Sequence, residues 1–295
     1  IKLKEGLIKT EEWWRSLEDQ SKIESFSKKD GVIKKQSITA IIACYKDEEA
    51  IPEMYERLVK VFTKEKIDYE IIFVNDCSPD NSQGLIESIS AKDPRVIGVL
   101  HSRNFGSQSA FLSGIELANK EACVLLDGDL QDPPELISEF IKEWRNGSNI
   151  VYGRRVKREM PFIMEIFYKL FYLLFNSLSE IDIPRNAGDF SLIDQKAFHW
   201  ILECGEKDFF LRGIRAFVGF KQTGVDYFRA ERKYGTSTNN WTKNIGWAKK
   251  AIFSFSQLPL HLVTLFASLS LAFTSFLGVY MIFVRFYDPV NTPRG

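Results

Sequence analysis

The sequence predicts an α/β protein built on a mainly parallel sheet with helices on both faces and carried on a C-terminal membrane helix. Three observations predict it. Strand-length apolar runs alternate with helix-length amphipathic runs between residues 37 and 153. Acidic residues gather just after those runs, where open α/β sheets bind their ligands. Residues 251–284 contain no Asp, Glu, Lys or Arg.

Taken in order, residues 1–36 are charged, carry Trp13 and Trp14, and stay outside the alternating pattern; they read as a helical extension. Strands are then expected at 38–44, 69–74, 96–100, 122–126 and 150–153, each a short run rich in Ile, Val, Leu, Phe or Ala. Helices are expected between them at 50–62, about 82–91, about 106–119 and 134–145. Residues 161–178 surround Glu165 and Lys169 with Phe162, Ile163, Ile166, Phe167, Leu170 and Phe171, too apolar for the surface of a soluble domain. This segment, about 160–178, and a second at 239–257, with Trp241, Trp247 and three lysines, read as helices lying in a membrane interface. A core helix is the lesser alternative for the first.

From Leu260 to Val284 a helix would rise roughly 37 Å at about 1.5 Å per residue, enough to cross a hydrocarbon core of about 30 Å with some tilt. A transmembrane helix is therefore expected at 258–285. Lys243, Lys249 and Lys250 precede it and only Arg285 and Arg294 follow it, which favours a cytoplasmic N-terminal side. The formal net charge of zero gives no support to a nucleic-acid partner. Neither G-x-G-x-x-G nor G-x-x-x-x-G-K occurs, which removes support for a nicotinamide enzyme or a P-loop nucleoside triphosphatase. Cys44, Cys77, Cys123 and Cys204 form no CxxC pair and read as small buried residues of a reducing compartment.

The densest chemistry is Asp127-Gly128-Asp129-Leu130-Gln131-Asp132-Pro133-Pro134-Glu135, directly after the 122–126 strand. Three Asp in six residues, stopped by Pro-Pro, put hard oxygen ligands on one rim, where a divalent cation bridging phosphates could sit. A helix cap would need only one of them. The loop Asn75-Asp76-Cys77-Ser78-Pro79-Asp80-Asn81-Ser82 offers Asp76 as an acceptor for a base N–H or a ribose hydroxyl. Asp80 and Asn81 are expected to cap the next helix.

Ile41 to Glu49 (IIACYKDEE), the NDCSPDNS loop, Ser102-Arg103-Asn104-Phe105-Gly106, DGDLQDPPE, Asn186-Ala187-Gly188-Asp189-Phe190 and Glu231-Arg232-Lys233-Tyr234-Gly235-Thr236-Ser237 follow one another in this order. Together, over about residues 37–284, they resemble glycosyltransferase family 2. The resemblance is to its membrane-anchored group, similar to dolichyl-phosphate mannose synthase and bacterial polyprenyl-phosphate glucosyltransferases. The resemblance implies a GT-A fold over 37–238 and inverting transfer of one sugar from a UDP- or GDP-sugar to a polyprenyl phosphate at the cytoplasmic membrane face. Position by position, it implies that Ala43, Tyr45, Asp47 and Asp76 line the nucleoside pocket, with Asp127, Gly128 and Asp129 near the ribose and diphosphate. Asp129 and Gln131 would hold Mg²⁺ or Mn²⁺. Arg155, Arg232 and Ser237 would contact the phosphates, and Asp189, Asp132, Arg155 and Arg232 make up the candidate catalytic set.

Leaving-group departure builds negative charge on a diphosphate, so a cation and guanidinium groups are the effective catalysts. The acceptor is a phosphate monoester whose second pKa is about 6, and its nucleophilic oxygen is already largely ionised at neutral pH. Asp189 is therefore expected to orient acceptor or sugar more than to remove a proton.

The chain departs from the family pattern at Ala43 for proline, Lys46 for asparagine, Cys77 for glycine and Thr238 for lysine, with Lys243 as a conceivable substitute for the last. Similar enzymes carry two spans, so the 286–295 tail is expected to stop short of a second; a single span leaves room for a homo-oligomer. A processive polysaccharide synthase would need a Gln-x-x-Arg-Trp motif, where Glu231-Arg232-Lys233-Tyr234-Gly235 stands instead. A silent nucleotide-sugar-binding membrane module is disfavoured by the intact Asp127, Asp129, Gln131 and Arg232.

Overall fold

The computed structural model describes residues 36–156, 184, 186–206, 209–230, 233–234 and 258–287. The expected N-terminal helix, both interfacial segments and almost all of the tail lie outside them, as do Arg232, Ser237, Thr238 and Lys243. The chain divides into two units, Ile1–Gln36 and Ser37–Gly295, and every element named below lies in the second.

Numbered among the described residues, the strands are β1 (Ser37–Cys44), β2 (Asp68–Asn75), β3 (Val96–Leu100), β4 (Ala122–Asp127), β5 (Ile150–Arg155), β6 (Ala187–Asp194) and β7 (Gln222–Tyr227). The helices are α1 (Ile51–Glu65), α2 (Ser82–Ser90), α3 (Ser107–Leu117), α4 (Ile137–Arg145), α5 (Gln195–Glu203), α6 (Leu211–Phe217) and α7 (Leu258–Tyr287). They form one seven-stranded sheet in the order β3-β2-β1-β4-β6-β5-β7.

β1 lies inside the sheet, parallel to β2 on one side and β4 on the other. Its period-2 alternation feeds two cores at once. Ile38, Ala40 and Ile42 join the cluster that packs under α1 and α4, while Ile41 and Ala43 join the one under α3, α5 and α6. The helices obey the matching 3.6 period: α1 buries Ile51, Met54, Leu58, Val61 and Phe62. Pro52 sits at its start, where a missing N–H is harmless, and Lys66 in the left-handed region (φ 56°) ends it. α3 approaches β1 so closely that a Cβ on Gly114 would lie 2.2 Å from Ile41 Cγ2.

One strand departs from the expected pattern and matters for the site. β6 runs antiparallel to both β4 and β5, while β7 is parallel to β5. A parallel strand brings its carboxyl end to the binding edge; the reversed β6 brings its amino end there instead. Asp127, Arg155 and Tyr227 at strand ends and Asp189 near a strand start therefore converge on one edge.

α7 is long and apolar enough to cross a membrane. Residues Leu260–Tyr287 have a mean hydropathy of 2.0, and none of them is buried within the protein. Three of its hydroxyls are satisfied inside the helix: Thr264 donates to Leu260 O (2.9 Å), Ser268 to Thr264 O (2.8 Å) and Thr274 to Ser270 O (2.9 Å). This is what a segment surrounded by hydrocarbon requires.

Candidate active site

The acid loop begins where β4 stops. Gly128 N–H donates to Ala43 O (2.9 Å), tying the loop to the end of β1. A Cβ at Gly128 would stand 2.8 Å from Asp47 Oδ2 and 3.0 Å from Ala43 O, so only glycine permits this approach. Asp47 is buried; its Oδ2 accepts from Tyr45 N–H (2.9 Å) and its carbonyl starts α1 by accepting from Ala50 and Ile51. Asp129 folds back on the loop by accepting from Gln131 N–H (3.1 Å).

The segment after β7 is zipped onto this loop. Ala230 N–H donates to Gln131 O (3.1 Å), and Gln131 Nε2 donates to Ala230 O (3.2 Å). Between these two bonds and the strand end lies Arg229. Its guanidinium faces three carboxylates, with Nε 3.4 Å from Asp132 and an Nη 3.7 Å from Asp127 and 3.9 Å from Asp129. Further on, Lys233 and Tyr234 both reach Glu53 on α1, at 2.7 and 3.2 Å. Tyr234 also lines a cleft of about 310 Å³ with Lys46, Glu48, Glu49, Pro79 and Asp80, beside the ends of β1 and β2.

Asp132 is the buried hub of the site. The Tyr227 hydroxyl donates a hydrogen bond to its Oδ1, and Arg155 approaches its Oδ2 at 3.8 Å while donating from Nε to the Tyr227 oxygen (3.2 Å). Burial first, and then the Asp132 charge, push the Tyr227 phenol well above its ordinary pKa.

Asp189 is held by Arg212 Nε at 3.2 Å, and its backbone carbonyl accepts from Ser191 Oγ (2.8 Å). Beneath it Arg215, 1% exposed, donates to Gly188 O (3.1 Å) and lies over the Tyr152 ring. Burial lowers the Arg215 pKa to about 10.

These acids press on one another. The Asp127 carboxyl is raised above the ordinary carboxylate range, first by loss of solvation and then by Asp132, Asp129 and Asp189, with Arg229 pulling the other way. Asp127, Asp129, Asp132 and Asp189 thus gather hard oxygen donors on this edge, the kind a divalent cation takes. Among the described residues, no three His, Cys, Asp or Glu side chains form a chelate by themselves.

Of the residues predicted from sequence, Ala43, Tyr45, Asp47, Asp127, Gly128, Asp129, Gln131, Asp132, Arg155 and Asp189 lie along this edge. Asp76 does too, but in a different posture: it is 2% exposed and accepts from Phe105 N–H (2.8 Å), Gly106 N–H (2.7 Å) and the His101 ring (2.8 Å). Its carboxylate holds the 101–106 segment. The expectation for the next helix is half right, because Asp80 accepts from Ser82 N–H (3.1 Å) while Asn81 makes no side-chain cap bond. Arg229, Arg212, Tyr227 and His101 were not anticipated. Arg229 stands three positions before Arg232, and Arg212 and Arg215 flank Gly213-Ile214 in an otherwise apolar stretch; both patterns were visible in the sequence.

The sequence profile described as "Glycosyl transferase family 2" matches residues 39–201. An uncharacterized glycosyltransferase of Bacillus subtilis (strain 168), YkcC, is 39% identical over 247 residues, spanning 82% of this chain and 75% of that protein. A protein of Shigella phage SfV named bactoprenol glucosyl transferase is 34% identical over 258 residues, 86% of this chain and 84% of its own. The crystal structure of mannosyl-3-phosphoglycerate synthase from Rubrobacter xylanophilus superposes with a TM-score of 0.50 at 12% identity, covering 74% of this chain and 73% of that one, which is a likeness of fold alone. The sheet order, the acid edge and the extent of these matches agree: the chain is a GT-A-type glycosyltransferase and belongs to glycosyl transferase family 2.

Proposed function

We propose that this enzyme transfers a single sugar, with inversion, from a UDP- or GDP-sugar to a polyprenyl phosphate at the cytoplasmic membrane face. The observation that carries the reading is the convergence of Asp127, Asp129, Asp132 and Asp189 with Arg155 and Arg229 on one sheet edge of a chain that also carries an apolar, membrane-length helix. Relatives named bactoprenol glucosyl transferase support the lipid phosphate as acceptor.

In this reading the nucleoside lies along the ends of β1 and β2, beside Tyr45 and Asp47, with Asp76 bracing the 101–106 segment behind it. Asp129 and Gln131 would hold Mg²⁺ or Mn²⁺, which when bound would offset charge building on the departing diphosphate. Arg155 is positioned for the same charge by Tyr227 and Asp132, and Arg232 and Ser237 keep the phosphate-binding roles the resemblance implies. Asp189, paired with Arg212, orients acceptor or sugar. A strong base is not required, because a phosphate monoester with a second pKa of about 6 is roughly nine-tenths ionised at pH 7. α7 anchors the chain among its lipid acceptors, and self-association within the bilayer is compatible with one span.

The test is to incubate membranes containing the protein with undecaprenyl or dolichyl phosphate and a panel of radiolabelled nucleotide sugars, with and without EDTA. Label should enter the organic phase for one donor and only with metal. Label that stays aqueous for every donor would refute the assignment.

A further inference from the structure

We infer that Arg229 is a built-in counter-ion occupying the place a divalent cation would take among Asp127, Asp129 and Asp132, and that it must leave before the cation can settle. The inference rests on the reading of Asp129 and Gln131 as the metal-holding pair.

Its support is geometric. Arg229 approaches Asp132, Asp127 and Asp129 at 3.4, 3.7 and 3.9 Å, all longer than the 2.7–2.9 Å usual for a charge-assisted hydrogen bond. Its buried Nε makes no hydrogen bond. A guanidinium that belonged permanently to one of these acids would grip it in a bidentate fork, as Arg95 does Asp93 at 2.9 and 2.9 Å. Arg229 instead sits among three acids without docking on any, as a counter-charge does. The backbone around it is fixed by the paired Gln131–Ala230 bonds, so the side chain can swing while its anchor stays in place.

Cation and guanidinium cannot share the cluster, because like charges about 4 Å apart repel strongly at protein dielectric. A diphosphate arriving with the metal gives the displaced guanidinium a planar, bidentate partner. Cation and nucleotide therefore enter together, and the chain resists binding metal alone.

The experiment titrates Mn²⁺ into the full-length chain in nanodiscs, following free Mn²⁺ by electron paramagnetic resonance, with and without UDP or GDP. The wild type is compared with Arg229→Gln and Arg229→Lys, each checked for an unchanged unfolding midpoint. Without nucleotide, Arg229→Gln should bind Mn²⁺ at least tenfold more tightly than wild type, and Arg229→Lys, which keeps the charge, should stay within about threefold of it. Wild type should gain Mn²⁺ affinity on adding one of the nucleotides, and Arg229→Gln should gain less. If Arg229→Gln binds Mn²⁺ no more tightly than wild type, or Arg229→Lys binds it as tightly as the Gln variant, the inference is overturned. If Arg229→Gln binds Mn²⁺ more tightly but neither nucleotide changes affinity in any variant, the counter-ion role stands and the nucleotide-sugar reading fails.

Discussion

Asp132 and Tyr227, 95 residues apart in sequence, meet in a buried hydrogen bond that joins the acid loop after β4 to the end of β7. The same phenol oxygen accepts from Arg155 Nε at 3.2 Å, so one hydroxyl fixes both an acid and a guanidinium of the site. Tyr227→Phe removes the donor and leaves Asp132 short of a partner inside the protein. Stability should fall by about 1–3 kcal/mol. Transfer should drop on the order of tenfold, because Arg155 is left loosely positioned. Denaturation midpoints and initial rates on the purified protein check both.

Asp189→Asn should slow transfer by about tenfold to a hundredfold without abolishing it, with the larger part of the change in KM for the lipid acceptor. The reason is that Asp189 orients and the acceptor is already ionised. Complete loss of turnover with acceptor binding intact, not rescued by raising pH, would show that a proton must be removed there. Rate against pH for wild type and variant decides between the two.

Cys77 adopts φ 54°, in the region where side chains are disfavoured and where similar enzymes place glycine. Cys77→Gly should leave stability unchanged or raise it by up to about 1 kcal/mol, since relief of the left-handed backbone, roughly 1–2 kcal/mol, matches or exceeds the extra chain entropy that glycine loses on folding, roughly 0.5–1 kcal/mol. Cys77→Val, β-branched at the same φ, should destabilise. Thermal unfolding of the two variants gives the sign.

Asp93 is held down to about pKa 2, chiefly by the Arg95 guanidinium and backbone N–H, against the opposing effect of burial, with Tyr55 also donating. Its folded pKa lies below its unfolded value of about 3.9, so its contribution is complete above pH 4 and is lost as pH falls toward 2. Asp93→Asn should therefore be less stable than wild type at pH 7, and the difference should shrink through that acid window. Stability measured from pH 7 to pH 2 tests it.

Much of this architecture can be read along the chain. The strands β1, β2, β3, β4 and β5 are short apolar runs bounded by turn residues, and α1 announces itself by Ile51, Met54, Leu58 and Phe62. β7 gives no such signal, because Gln-Thr-Gly-Val-Asp-Tyr is a polar edge strand with only Tyr227 buried. The reversal of β6 is a matter of pairing partners, which its own residues do not encode. At the site, Asp127, Asp129, Gln131 and Asp132 are legible because they are contiguous. Arg229, Arg212, Tyr227 and His101 acquire meaning only when the sheet brings them to their acids. Asp76 likewise has a structural part that its position after a strand does not reveal, since three protein donors meet its carboxylate.

The central claim is that the carboxyl edge of the sheet grips a cation-bound diphosphate through Asp129. Its most direct test is calorimetric titration of UDP and GDP into the full-length protein with Mn²⁺, with EDTA, and into Asp129→Asn with Mn²⁺. One nucleotide should bind with metal, and its affinity should fall at least a hundredfold in EDTA and in the variant. Equal affinity in all three conditions would contradict the account.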